Sequence, residues 1–554
     1  MLPTDDALCH VKALVSSFIE IIYFEDVMKY LLFLLILTSV ATKLFGLSIL
    51  LVETIFSTSH HIWISSLVKE LLRKGHHVHF TSIHTLKVDD SLAQNYTNKG
   101  FDDVMHELII DHEYVPTTWR TYNFLYMIYF THKLSNFMCE KIISHPTTKD
   151  TIELVKIKKF DIIVQDVTLP TCFYGLWEFA EGNPPVIGYV PFGNAPWLKD
   201  YIGGSSYPAI RPYVHMYMGI PVTIWDRTRN FICYVLDDLF RHYYMMPINQ
   251  KLTNILAGKE LRPLTEYERN ISIVLINTHY SFEPAIPLPP NAIEIAGIHA
   301  QTAQPIRDKM ICKFLDDAED GAIIISMGTN VAWNRMESDK VKIVAAVLSK
   351  FKQRIIWKLA EDVDVQLSKN ILALKWIPQN DILTHKNVKA IWTHAGLLST
   401  HEAIWHGVPM IGMPFFMDQN SNIKMLVDKK VAVYLNYEEI SMDTVEQALR
   451  EIIYNPIYSQ NMKKLSREFR DRPIPPLDLA VWYVEYVSRH PGKDFGSPGR
   501  FLTHMEQNLY DVYILLFMIF LISILICWYL LKYLKNLSEK LYCKLFIYKK
   551  NKQN

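Results

Sequence analysis

Net charge is the first thing this sequence does without. Lysine plus arginine, 57, equals aspartate plus glutamate, 57, over 554 residues, so no long-range field recruits nucleic acid or an acidic polymer. Cysteine is scarce too: the seven are scattered, without the CxxC or Cys/His spacing of a zinc site. No GxGxxG follows the first apolar strand, which argues against a dinucleotide-dependent dehydrogenase. Length is not lacking, and it allows roughly two to four domains with ample core.

What is present concentrates between Trp392 and Gln419, WTHAGLLSTHEAIWHGVPMIGMPFFMDQ. Val388 to Thr393 is an apolar run of strand type, Gly396 can turn the backbone, and Leu398 to His406 has helical spacing before Gly407 and Pro409 stop it. A second strand follows from Met410 to Met413. Strand, loop and helix in that order leave the first helix amides unpaired and pointing above the strand, where they favour an anion by about 0.3–1 kcal/mol when exposed and about 2 when partly buried. His394 and Ser399 add side-chain donors there. One turn on, Glu402 offers a carboxylate suited to a pair of ribose hydroxyls, and Asp418 with Gln419 could hold the hydroxyls of a sugar. The order is phosphate, ribose, hexose.

This segment resembles the signature of the UDP-glycosyltransferase family, the membrane-bound UDP-glucuronosyltransferases and UDP-glucosyltransferases. The matching positions are Thr393-His394, Gly396, Glu402, His406-Gly407, Pro409 and Asp418-Gln419, and the run Leu397 to Thr400 is more like arthropod members than vertebrate ones. Two positions depart from the pattern: Ala395 replaces a usual Gly, and Leu398 stands where many members carry a phosphate-binding Asn, leaving only its backbone amide. The resemblance implies an α/β fold of two facing Rossmann-like doubly wound domains (GT-B type) followed by a C-terminal transmembrane helix. It also implies a UDP-sugar co-substrate with no other cofactor, and a small lipophilic acceptor.

Further elements fit along the chain. Leu47 to Val52 reads as a strand, with the polar turn Ser57 to His60 after it and a helix from about His61 to Arg73. An imidazole at that turn is the residue type a general base requires. In the family the base lies in this loop ahead of an RGH-like turn; Lys74-Gly75-His76 matches the turn, and the spacing selects His60 over His61. Phe160 to Asp166, FDIIVQD, is a buried-type strand with a carboxylate at its carboxyl end, and Asp166 occupies the position of the family's base-orienting Asp. Asp161 competes, but it opens the strand and should face the opposite edge. Aromatic residues from Trp119 to Phe130 and from Pro191 to Tyr217 lie where the family builds its acceptor pocket. Ser326, at the end of the strand Ala322 to Ile325, opens a small-residue turn at the ligand edge. Trp376 and Gln379 match the family's WxPQ element, giving a face for uracil and an amide for the nucleoside. The DxD at Asp362 and Asp364 sits in a charged loop and is set aside, so no metal is expected.

The resulting layout is a non-native N-terminal extension at 1–27, a signal peptide at 28–42 with an uncleaved anchor as the alternative, and an acceptor-binding domain at 43–290. A UDP-sugar-binding domain at 291–470 follows, then a return helix and membrane-proximal segment at 471–510, a transmembrane helix at 511–531 and a basic cytosolic tail at 532–554. The tail lysines place the catalytic mass in the lumen, and Lys550 with Lys552 give a dilysine retrieval arrangement for the endoplasmic reticulum. Cys139, Cys172, Cys233 and Cys312 are then luminal, in a pairing the sequence leaves open, and Asn95 and Asn270 open glycosylation sequons. A homo-oligomer also stays open. The expectation is an inverting, metal-independent hexosyl transfer, with glucose favoured over glucuronic acid because no Lys or Arg occurs between Lys389 and Lys424. The rival is a membrane-bound carrier that kept the fold and lost catalysis.

Overall fold

The computed structural model describes residues 46–102, 104, 116–193 and 195–553, so the expected extension at 1–27 and leader at 28–42 lie outside the described residues. Two parallel sheets carry the architecture. The first contains β1 (Ser48–Val52), β2 (His77–Ser82), β3 (Tyr96–Gly100), β4 (Ile162–Asp166), β5 (Val186–Val190), β6 (Ile273–Ile276) and β7 (Ala292–Glu294), in the order β3-β2-β1-β4-β5-β6-β7. The second contains β8 (Ala322–Ser326), β9 (Arg354–Lys358), β10 (Ile371–Leu374), β11 (Val388–Thr393), β12 (Met410–Gly412) and β13 (Ala432–Tyr434), in the order β10-β9-β8-β11-β12-β13. The central strands SILLV, IIVQD and AIIIS are buried on both faces by flanking helices, which is why they read as continuous apolar runs and not as alternations.

In both sheets the winding reverses beside the first strand, between β1 and β4 and between β8 and β11. Parallel strands splay their connections apart at such a point and leave a crevice at their carboxyl ends. Asp166 closes β4 at one crevice. At the other, Ser326 pairs with Thr393, the residue before His394. Asp161 lies at the far edge, where its carboxylate accepts from the Ser48 amide at 2.8 Å.

The domain boundary falls later than position 290. β7 pairs with β6 through Val274–Ala292 and Leu275–Ile293, so the first sheet extends through Glu294. The proline-rich run Ile286 to Asn291 is therefore a turn inside the first domain that returns the chain to an edge strand. Proline punctuates a chain in both situations, and its spacing alone does not distinguish a linker from a loop.

The helix Pro476–Arg489 crosses back from the second domain. Leu477, Val481, Val484 and Val487 join a buried cluster with Ile49, Leu51, Trp63 and Leu67 of the first. His76 and Glu485, 3.3 Å apart, add a polar contact at its edge. A disulfide joins Cys139, on the helix Phe124–Ser144, to Cys172 after β4. The last helix, Tyr510–Gln553, is long and apolar enough to cross a membrane. It continues without a break through the basic segment expected to be a separate tail.

Leu477, 5% exposed at the domain junction, gives the first prediction. Leu477→Ala should cost about 2–5 kcal/mol through lost burial and the cavity left behind, read as a lower melting temperature in a thermal scan.

Candidate active site

The helix Thr58–Arg73 begins with Ser57 in extended conformation and no side-chain cap, so its first turn points into the crevice with its amides unpaired by a cap. His60 lies in that turn, inside the helix and not in the loop before it. Its Nδ1 is 3.8 Å from Oδ2 of fully buried Asp166. Neither atom has a hydrogen-bond partner among the described residues, while Asp166 Oδ1 accepts from the Thr168 amide at 2.9 Å. Two polar atoms left facing one another in a buried site close to a hydrogen bond by a small side-chain rotation, as catalytic pairs commonly do on substrate binding. His61 is engaged elsewhere: its ring stacks on Phe80 at 5.6 Å and its Nδ1 is 2.9 Å from Glu53 Oε2. Burial pushes His61 down to about 4 and Glu53 up, so both tend to their neutral forms. The tandem pair thus divides into one histidine facing the crevice and one in the frame.

Across the gap, the helix Leu397–His406 starts from the crevice of the second sheet. The tight turn is made by Ala395, whose φ of 61° is in the left-handed region, and not by Gly396, which is extended at φ −62°. That conformation costs an alanine about 1–2 kcal/mol, and Asn422 holds it by donating to the Ala395 carbonyl at 3.1 Å. Gly396 serves close approach instead: a Cβ there would sit 2.5 Å from His394 Nε2, and one on Gly328 would sit 2.5 Å from His394 Cε1. The imidazole is held between two glycines, and Thr393 Oγ1 fixes its Nδ1 at 3.1 Å. Burial, with the nearby charge of Lys358, pushes His394 down to about 4, which leaves a neutral ring. Leu398, at the position of the family's Asn, packs its side chain against the first domain's core and so joins the two halves.

Gln379 Nε2 donates to Ser399 Oγ at 2.9 Å and to Glu402 Oε2 at 2.6 Å, tying the WxPQ element to the helix. Burial raises Glu402 to about 7 and Asp418 to about 6. Asp418 is oriented by Asn422 at 2.7 Å, and Gln419 Oε1 accepts the amides of Phe415 and Phe416 at 2.8 and 3.2 Å. Gln419 therefore spends its oxygen on the turn and keeps its NH2 for a ligand.

One cavity of about 930 Å³ lies between the two carboxyl edges. His60 lines it, as do Ser326, Trp376, Gln379, His394, Gly396, Leu398, Ser399, Glu402, Asp418 and Gln419. Asp166 stands behind His60. The first-domain end is walled by Ile55, Phe56, Trp119, Leu134, Met138 and Phe192, an apolar surface of the kind that encloses small lipophilic molecules. Of the aromatic run, Trp119 reaches the cavity, while Tyr126 and Phe130 pack behind it. Lys358 went unremarked in the sequence. Its ammonium lies 4.5 Å from the centre of the Trp376 ring and donates to the Gly328 carbonyl at 2.7 Å, and burial lowers its affinity for the proton. The signal was available: Lys358 ends a buried strand at the ligand edge, the same logic that selects Asp166.

Replacing His61 by Ala removes a buried hydrogen bond and the stack on Phe80. It should cost about 1–3 kcal/mol, seen as a lower melting temperature at full occupancy of the remaining site.

A family model described as "UDP-glucoronosyl and UDP-glucosyl transferase" matches residues 48–544. UDP-glucosyltransferase 2 of Dactylopius coccus is 32% identical over 517 residues, covering 90% of this chain and 96% of the relative. UDP-glucuronosyltransferase 2B18 of Macaca fascicularis is 28% identical over 474 residues, covering 82% of this chain and 87% of its own. Among solved structures, Spinosyn Forosaminyltransferase SpnP superposes with a TM-score of 0.53 at 13% identity, over 80% of this chain and 100% of that one. This likeness carries the fold, two facing doubly wound domains of GT-B type. The family match runs through both sheets, the return helix and most of the terminal helix, and the chain accordingly belongs to the UDP-glucuronosyl and UDP-glucosyl transferase family.

Proposed function

We propose that the protein transfers a hexose, glucose in preference to glucuronic acid, from a UDP-sugar to a hydroxyl of a small lipophilic acceptor, with inversion at the anomeric carbon and without a metal. The observation that carries this reading is the meeting of His60 and Asp166 with the amino end of the helix Leu397–His406 across a single cavity. Asp166 turns the His60 ring so that Nε2 receives the proton of the acceptor hydroxyl. The acceptor oxygen bonds to the anomeric carbon of a UDP-α-hexose as the bond from that carbon to the diphosphate breaks, and the product is a β-glycoside. The departing diphosphate finds the helix amides, the neutral His394 and the ammonium of Lys358, which together can take up its charge. Uracil lies on Trp376, which is 59% exposed and open to stacking. Glu402 accepts from the ribose and Asp418 from the sugar hydroxyls, while the Gln419 NH2 donates to a sugar oxygen. The rival reading as a catalytically inactive carrier has no observation in its favour.

The terminal helix is read as a single membrane span with the catalytic domains in the lumen of the endoplasmic reticulum. The Cys139–Cys172 disulfide favours an oxidising compartment, and Asn270 of the second sequon is exposed.

His60→Ala should lower turnover by about 100- to 10,000-fold while the affinity for UDP, measured by calorimetry, is retained. Equal loss of both would place the base elsewhere. A second expectation concerns pH. With Glu402 at about 7 in the free protein, its carboxylate is present above that pH and lost below it, and the ribose hydroxyls bond better to the ionised form. UDP-glucose, whose diphosphate does not titrate in this range, should bind about tenfold more weakly at pH 6 than at pH 8. Glu402→Gln should flatten that profile.

A further inference from the structure

Sugar choice at the donor end depends on which charges reach the outer edge of the hexose. Among the described residues, the cations lining the main cavity are Lys69 on the helix that carries His60, and Arg335 and Lys358 from the second domain. None is placed at the sugar end by any contact with Asp418. Beside Asp418 there is instead a narrow crevice, reached past Phe192 and Leu397, which both cavities share, and lined by Arg211, Glu283 and Tyr234 of the first domain. Here Arg211 Nη2 donates to Glu283 Oε2 at 2.6 Å, with side chains 15% and 7% exposed.

Both partners are held from behind. Buried Asn230 donates to the carbonyl oxygens of Arg211 at 2.7 Å and Pro208 at 2.6 Å, so the segment that carries the guanidinium is pinned. Glu283 lies in the turn after β6, its amide bonded to the His279 carbonyl at 3.1 Å. Its neighbour Phe282 packs edge-on against His401, on the donor helix, at 5.8 Å. Gly193 leaves the carboxylate its room, because a Cβ there would sit 2.9 Å from Glu283 Oε1. The crevice is thus built to keep a cation close to the sugar's carboxylate partner and to neutralise it.

We propose that Arg211 and Glu283 form a masking pair that sets donor choice: Glu283 occupies the first-domain guanidinium that, among the described residues, lies beside Asp418, and the site therefore admits a neutral hexose and disfavours one bearing a carboxylate. The inference deepens the hexosyl-transfer reading above and rests on it. A sugar carboxylate entering here would meet Asp418 and Glu283 together, with no unpaired Lys or Arg lining the crevice among the described residues to offset three like charges. Burial first, with the charge of Glu283 adding to it, already holds Asp418 at about 6. Without Glu283, the same guanidinium is a half-buried charge lacking that partner, which favours an anion that can reach it. A bidentate carboxylate is the ligand that suits it best.

The test is a competition between equal concentrations of UDP-glucose and UDP-glucuronic acid on the full-length protein, with neutral and acidic products of one phenolic acceptor counted by mass. Because both donors compete in one tube, any loss of folded enzyme cancels from the ratio. Glu283→Gln should raise the acidic share about tenfold or more relative to the unmodified protein, the range of a charge-assisted hydrogen bond gained. Glu283→Gln combined with Arg211→Gln should return it to the starting value. An unchanged ratio in the single variant, or a raised ratio that persists in the double variant, overturns the masking role. The unmodified protein tests the underlying reading separately: a mostly acidic product there overturns the neutral-donor preference, and a fall in that product with Arg211→Gln alone would show the guanidinium already unmasked.

Discussion

Everything in this protein depends on two carboxyl edges being held face to face at a separation that one nucleotide-sugar and one acceptor can fill. Neither sheet could do so alone, since a doubly wound domain offers its crevice to solvent on one side only. The helix Pro476–Arg489 supplies the constraint, with Leu477, Val481 and Val484 contributing to the core under β1 and the His60 helix. Opening the gap would expose that surface. Contacts directly across the cleft add to it, including Trp119 on Phe416 at 5.1 Å and Arg120 with Glu438 at 3.1 Å. Catalytic geometry and domain packing are therefore coupled through the same residues.

Within the cleft, backbone conformation is spent where ligand groups must converge. Ala395 and Met417 have φ of 61° and 55°, each directly beside a polar group on the cavity wall, His394 and Asp418. Left-handed backbone at non-glycine residues is tolerated when surrounding bonds over-determine it, and Asn422 provides them by bridging Ala395 and Asp418. The histidine between Gly328 and Gly396 follows the same logic. Its ring is set by what the neighbours lack, because a methyl group on either side would displace it.

Burial also decides the charges. His394 is kept neutral and Glu402 and Asp418 are raised because each is removed from water in the free protein. On the proposed reading, a nucleotide-sugar would supply the hydrogen bonds that burial withholds from these groups.

Much of this was legible in the chain. The apolar runs fixed the strands nearly to the residue, β11 from Val388 to Thr393 among them, because buried parallel strands have few alternatives at that length. The convergence of His60, Asp166, His394 and Glu402 on one crevice was legible because each sits at a strand end or helix start, positions that topology sends to the same edge whatever the side chains do. The sequence also told Asp166 from Asp161, since the two ends of one strand must face opposite edges. What it could not carry was anything made by segments distant along the chain. The pairing of Cys139 with Cys172, the membership of β7 in the first sheet, the left-handed turn falling on Ala395 in place of Gly396, and the tethering of Arg211 by Glu283 all arise from long-range packing. Local propensity and spacing determine which elements form and which way they point; which charges end up adjacent is settled only when those elements dock, because electrostatic partners are chosen by distance in space and not by separation in sequence.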